Sequence, residues 1–134
     1  MILHPYLIFN GEAEEALHFY AEALSLTFEA PKRYEDSPIP HKEHQKKMIV
    51  HAELLRDGKT FAMLADSLEE NVKSGGRVQL SINFEDSKSF QSFFENLSKG
   101  GTITMPLEKQ FWNATFGMCI DKFGVHWMVN YQHP

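Results

Sequence analysis

The sequence holds a single cysteine, Cys119, in 134 residues. An internal disulfide is therefore excluded, and a lone thiol suits a reducing compartment, so a cytoplasmic location is expected. Positive charge is also scarce: 13 Lys and Arg stand against 18 Asp and Glu, for a formal charge of −5. No basic run exceeds the pair seen at Lys46-Lys47, so nothing in the chain would track a phosphate backbone, and a nucleic-acid partner is not expected. No apolar run approaches the length of a membrane span, and the N-terminal residues do not pair a basic segment with a hydrophobic one, so neither a membrane partner nor a secretory signal is expected. What the chain does have is apolar mass. Eleven Phe, four Tyr and two Trp within a 43% hydrophobic composition fill a core without disulfide or metal staples.

That mass is patterned twice. An apolar strand over 2–9 runs into Asn10-Gly11, then Ala13, Ala16, Leu17, Tyr20 and Leu24 fall on one helical face. A second strand over 78–84 is followed by Asp86 as N-cap, then Phe90, Phe93, Phe94 and Leu97 at helical spacing. Phe19-Tyr20 falls on Phe93-Phe94. Each helix precedes three extended segments, 27–33, 48–55 and 61–65 in the first half and 102–105, 114–120 and 125–130 in the second. Each half therefore reads β-α-β-β-β, as one domain built of two repeats over about 1–70 and 77–134, joined by a Gly-containing linker over 71–76. The fold class expected is α+β.

Two hairpins set the faces. Asp57-Gly58 is a two-residue turn signal, and counting from it opposes Leu54 to Phe61, Ala52 to Met63 and Val50 to Ala65 on a core face. The other face then carries Ile49, His51, Glu53, Ala62, Leu64 and Asp66. In the second half the turn at Asp121–Gly124 opposes Ile120 to Val125, Met118 to Trp127 and Phe116 to Val129. Thr115, Gly117, Cys119, His126, Met128 and Asn130 are left on the opposite face. Along 78–84, Gln79, Ser81 and Asn83 alternate with apolar neighbours. Helices cover the apolar faces, so the polar faces of the two curved sheets are expected to line a cleft.

Within that lining, His51 and Glu53 are two apart on one strand, and a paired imidazole and carboxylate suits general acid-base work. They are the candidate catalytic residues; a structural hydrogen-bonded pair is the competing reading. Gln79, Ser81, Asn83, Trp112, Cys119, Met128 and Asn130 are the candidate ligand-binding residues. Trp112 offers a stacking surface. Cys119 and His126 invite a thiolate-imidazole reading, although a lone Cys is more often a small packing residue. His41, Glu43 and His44 read as a proline-bounded, solvated loop that could serve as a lid.

Five segments in order, HPYLIFNGEAEEALHFY, MIVHAELL, MLADS, MPLEKQFWNATFG and DKFGVHWMVNY, resemble the PhnB-like branch of the vicinal oxygen chelate superfamily, which also holds glyoxalase I, extradiol dioxygenases, fosfomycin resistance enzymes and bleomycin-binding proteins. The resemblance implies two β-α-β-β-β modules forming a curved mixed-sheet cup with helices outside, a small organic ligand in the cup, and a homodimer. Some relatives carry a ubiquinone-pathway methyltransferase label, but no strand followed by a glycine-rich loop for a nucleotide-like methyl donor is visible here. In metal-using members the ligands come from the first and last strands of both modules. The resemblance carries those positions to Pro5, Leu64, Gln79 and Met128, of which only Gln79 offers a donor to a hard cation. No cofactor and no metal residue are therefore expected. Two alternatives stay open: a lyase, isomerase or transferase with a divalent metal (Zn, Ni, Mn or Fe) held by a displaced set such as His51, Glu53 and Gln79, and a non-catalytic sequestering protein of the resistance type.

Overall fold

A computed structural model describes residues 2–69, 72–73 and 75–134. The chain divides into two compact units, Met1–Val72 and Lys73–Pro134; residues 71 and 74 of the expected linker lie outside the described residues. Among the described residues, each unit is an α+β module with one mixed sheet and one α-helix packed on it. No helix among the described residues is long and apolar enough to cross a membrane.

In the first unit, β1 (Tyr6–Phe9) leads to α1 (Ala13–Leu24), β2 (Thr27–Phe28), β3 (Lys32–Arg33), β4 (Ile49–Arg56) and β5 (Lys59–Asp66). The sheet order is β1-β5-β4-β2, with β3 also on β4, and β1 runs parallel to β5. The expected single segment over 27–33 is split in two, where Pro31 removes a ladder donor. The apolar stripe of α1 forms as its spacing dictates: Ala13, Ala16, Leu17, Tyr20, Ala23 and Leu24 are all buried. Glu14 and Glu15 sit in its first turn, where the helix dipole favours acid. Its N-cap residue, Glu12, makes no side-chain cap bond. The cap comes instead from the end of β5. The buried Asp66 accepts from Gly11 N (2.8 Å) and Ala13 N (3.0 Å) through Oδ1 and from Ile49 N (2.9 Å) through Oδ2. One carboxylate thereby joins the start of α1, the start of β4 and the end of β5.

The second unit repeats the wiring. β6 (Leu80–Phe84), α2 (Phe90–Ser98), β7 (Thr102–Lys109), β8 (Ala114–Ile120) and β9 (His126–Gln132) assemble in the order β6-β9-β8-β7, with β6 parallel to β9. Phe94 and Leu97 bury the α2 stripe, and Phe84 stacks on Phe93 as Phe90 stacks on Tyr131. Asp86 does not cap α2. It accepts from Lys88 N at 2.8 Å, an Asx-type turn that postpones the helix, whose N-cap position is Ser89. β7 runs to Lys109, beyond the expected end at 105, with two breaks in its register on β8.

Both hairpins depart from the count by one residue, and for different reasons. At Asp57-Gly58 the turn is as expected: both residues have positive φ (51° and 76°) and Arg56 opposes Lys59. A bulge after Leu54 then shifts the partner strand, so Leu54 opposes Ala62 and Ala52 opposes Leu64. Ala52, Leu54, Ala62 and Leu64 form the core face, at 4% exposure or less; Phe61 and Met63 go to the face of His51 and Glu53. Ile49, expected on that open face, is buried. In the second hairpin Asp121 pairs with Val125 (N to O, 2.9 Å) around a loop closed by Gly124 at φ 87°, so Ile120 opposes His126 and Cys119 opposes Trp127. Thr115, Gly117 and Cys119 therefore share the face of Trp127, Val129 and Tyr131, while Phe116, Met118 and Ile120 share that of His126, Met128 and Asn130.

Candidate functional site

On the first sheet, β4 alternation turns His51 and Glu53 away from the face that α1 covers. Tyr6 of β1, Met63 of β5 and Glu53 of β4 occupy one cross-strand row, so Tyr6 meets His51 across β5. Its hydroxyl lies 2.8 Å from His51 Nδ1, and His51 Nε2 lies 3.4 Å from Glu53 Oε1. Thr60 donates its hydroxyl to Glu53 Oε2 at 3.4 Å. The His51 and Glu53 side chains are 35% and 42% exposed, accessible to a ligand yet held. Burial, reinforced by the negative charge of Glu53, pushes the Tyr6 phenol above its ordinary pKa. On the β3 side, Lys32 is the Cα partner of His51, and Glu29, Ala30, Lys32, His51, Ala52, Glu53 and Leu55 line an open depression of about 250 Å³. A small organic molecule is the size of guest such a space takes.

The face thus brings together the two expected catalytic residues and adds Tyr6. Its signal in the sequence was parity: β1 alternates, and Tyr6 and Ile8 fall on the side opposite the buried Phe9.

On the second sheet, Ser81 and Met128 are paired positions, as are Asn83 and Asn130, whose amides meet at 3.4 Å. All four face away from α2's side. Trp112 is 41% exposed and lies edge-on to both Phe111 and Phe116. The Gln79 side-chain oxygen is buried and accepts no hydrogen bond among the described residues, an unmet acceptor worth about 1–3 kcal/mol to whatever donor reaches it. Cys119 corrects the expected set. It is 1% exposed, on the core face against Trp127, and burial with the charge of Asp121 raises its thiol to about 11. It lines no ligand surface, and a thiolate-imidazole pair with His126 is ruled out because the two side chains take opposite faces.

The positions that resemblance assigns to metal are dispersed in character. Leu64 is wholly buried on the core face, Met128 offers a thioether, and Pro5 offers no side-chain donor. Among the described residues no three His, Cys, Asp or Glu side chains gather in a way that could hold a metal ion.

The family model described as 3-demethylubiquinone-9 3-methyltransferase matches residues 2–130. The chain is similar to protein PA1353 from Pseudomonas aeruginosa, with 36% identity and a TM-score of 0.88 over 100% of this chain and 99% of that one. It is similar to a protein from Bacillus cereus described as a putative 3-demethylubiquinone-9 3-methyltransferase, PhnB protein, with 28% identity and a TM-score of 0.79 over 98% and 99% of the two chains. A glyoxylase/bleomycin resistance protein/dioxygenase domain from Frankia sp. EAN1pec shares the fold, at 14% identity and a TM-score of 0.72 over 99% and 92%. The chain belongs to the PhnB-like, 3-demethylubiquinone-9 3-methyltransferase-like family, within the glyoxalase/bleomycin resistance/dioxygenase fold.

Proposed function

We propose that the chain binds a small organic molecule on the sheet face that carries His51 and Glu53, and that it does so without the metal centre of its metal-using superfamily relatives. One observation carries the reading: an imidazole and a carboxylate in hydrogen-bonded contact border an open depression of about 250 Å³ that also presents Lys32 and Glu29. The two side chains are 35% and 42% exposed, so a guest in the depression can reach both. The chemistry within its reach is proton transfer. Enediolate chemistry of the glyoxalase type draws its charge stabilisation from a Lewis acid, and the donor set at Pro5, Leu64, Gln79 and Met128 does not suit a hard cation. The methyl transfer in the family's description has no counterpart in a donor loop here, so we do not extend it to this chain. The amides of Asn83 and Asn130, the free acceptor of Gln79 and the aromatic surface of Trp112 make the outer face of the second sheet a further ligand-facing surface. We further propose a homodimer, since β1, β6 and β7 are edge strands and β7 is exposed along most of its length, and a cytoplasmic location in keeping with its free thiol.

Ligand-observed NMR with a panel of small carboxylates, amines and phenols tests the reading. Binding that weakens at least tenfold in both His51→Ala and Glu53→Gln supports it; binding indifferent to both substitutions overturns the site. Elemental analysis after dialysis is expected to show less than a stoichiometric metal. About one Zn, Ni, Mn or Fe per chain, lost in His51→Ala, would instead establish the displaced-site metalloenzyme.

A further inference from the structure

Both ring nitrogens of His51 are occupied, and their partners fix the proton inventory. A carboxylate only accepts, so the nitrogen facing Glu53, Nε2, carries the hydrogen of the neutral ring. Nδ1 is then a lone pair, and the Tyr6 hydroxyl 2.8 Å away donates to it. We propose that Tyr6, His51 and Glu53 form a proton relay with Tyr6 as its outer member, and that the ligand it serves is a small molecule bearing an anionic oxygen, a carboxylate or an enolate. This rests on the reading that the face binds a small molecule.

In the resting relay the Tyr6 O–H points inward and offers a ligand no proton. Protonation of His51 at Nδ1 reverses that bond. Nδ1–H now donates to Tyr6 Oη, and the Tyr6 O–H turns outward to donate to the ligand's oxygen. If that oxygen is basic enough, the Tyr6 proton passes to it as the Nδ1 proton passes to Tyr6 Oη. The imidazolium becomes neutral, the ligand oxygen becomes O–H, Tyr6 is a phenol before and after, and Glu53 stays a carboxylate throughout. The proton enters from water at His51 and leaves with the ligand.

The surroundings fit this cycle. Tyr6 is 43% exposed, so the residue is open to solvent. Burial and the Glu53 charge both favour its phenol form over phenolate, which keeps the proton on Tyr6 between transfers. The titratable groups facing the relay are Glu53 on β4, Lys32 on β3, Glu29 just before it and Tyr34 just after it, whose phenol interacts with that of Tyr6; β5 brings the hydroxyl of Thr60 and the uncharged Phe61 and Met63, and β1 brings Ile8. Lys32 and an imidazolium together offset Glu29 and Glu53, so protonation of His51 removes the net negative charge that would otherwise repel an anion. The depression lies on the β3 side of His51 and Tyr6 on the β1 side, so a ligand that reaches Tyr6 lies across the imidazole.

Nitrogen-15 NMR of the His51 ring, with sodium acetate as the probe anion, tests the relay. Without acetate, neutral His51 is expected as the Nε2–H tautomer; Tyr6→Phe moves the Nδ1 resonance toward that of an unbonded lone pair, and Glu53→Gln lets the tautomers mix. An Nδ1–H tautomer, or an Nδ1 signal unmoved by Tyr6→Phe, overturns the relay. Acetate is expected to perturb Tyr6 and His51 together, with affinity falling about tenfold per pH unit on the alkaline side, as uptake of one proton requires. Affinity indifferent to pH overturns the proton-linked ligand. A relay present in the acetate-free spectra, with no panel compound bound, overturns the proposed function and leaves the resting relay standing.

Discussion

Asp66→Ala is expected to cost as much stability as truncating a fully buried core side chain of the first unit. The carboxylate accepts from Gly11 N, Ala13 N and Ile49 N at 2.8–3.0 Å, and it is 2% exposed. Hydrogen bonds to a charged acceptor contribute about 1.5–3 kcal/mol each, and a buried donor left without a partner costs about 1–3 kcal/mol. The Gly11 donor is only part-buried and regains water, so the two buried donors carry most of the loss. Together they give a destabilisation of about 3–5 kcal/mol, a large share of the roughly 5–15 kcal/mol that holds an ordinary domain. Asp66→Asn keeps one acceptor for Gly11 and Ala13 but turns an NH₂ toward Ile49 N, so about half that loss is expected. Urea unfolding followed by far-UV circular dichroism is the assay, because both tryptophans, Trp112 and Trp127, belong to the second unit. With a slope of about 1–3 kcal/mol per molar urea, the midpoint of Asp66→Ala falls by about 2 M. An unchanged slope with a loss below about 1 kcal/mol would refute the claim that one carboxylate joins α1, β4 and β5.

Gly101→Ala is expected to destabilise the second unit severely, because an added Cβ would stand 2.1 Å from the backbone oxygen of Ile120; a thermal midpoint within a degree or two of the parent would refute this. Cys119, raised to about 11, is expected to resist thiol reagents at pH 8 in the folded protein and to react in urea. Stability should also decline between about pH 9 and 11, where the unfolded chain releases the thiol proton and the folded one retains it, and Cys119→Ala should flatten that decline. Glu53→Gln removes the smaller of two causes that raise the Tyr6 phenol, so the Tyr6 ionisation read at 295 nm should move down toward 10 without reaching it, burial remaining; an upward move would refute the assignment.

The helices were legible because their signal is local. Tyr20 and Phe94 sit at matched places in the two stripes, and both are buried under the periodicity that the sequence displays. Strand faces were half legible. β4 and β9 present the expected residues to the core, Ala52 and Leu54 in one and Trp127 and Val129 in the other. Their hairpin partners, β5 and β8, are inverted. A strand's own alternation tells which residues share a face, but which face is core depends on its register with the neighbour, and one extra residue reverses the whole set. In the first hairpin that residue is the bulge after Leu54, which no turn signal announces.

In the second hairpin the information was present. Gly124 at φ 87° follows a turn whose Gly124 N–H bonds Asp121 O at 3.0 Å, the three-residue loop in which a glycine closes the turn as a bulge. Counting such a loop opposes Asp121 to Val125 and puts Cys119 inward from the start. Asp121 itself reinforces the choice, because its carboxylate accepts from Phe123 N, Val125 N and the Trp127 indole, at 2.9, 3.1 and 2.8 Å. Trp127 makes that bond from the buried face it shares with Cys119, its cross-strand partner. Unlike Cys119, His51 and Glu53 kept their expected face because they lie on β4, whose face was fixed by its own buried Ala52 and Leu54. Tyr6 was missed for the complementary reason: its partner is forty-five residues away, joined through the parallel pairing of β1 with β5, a long-range register that no local pattern in either strand records.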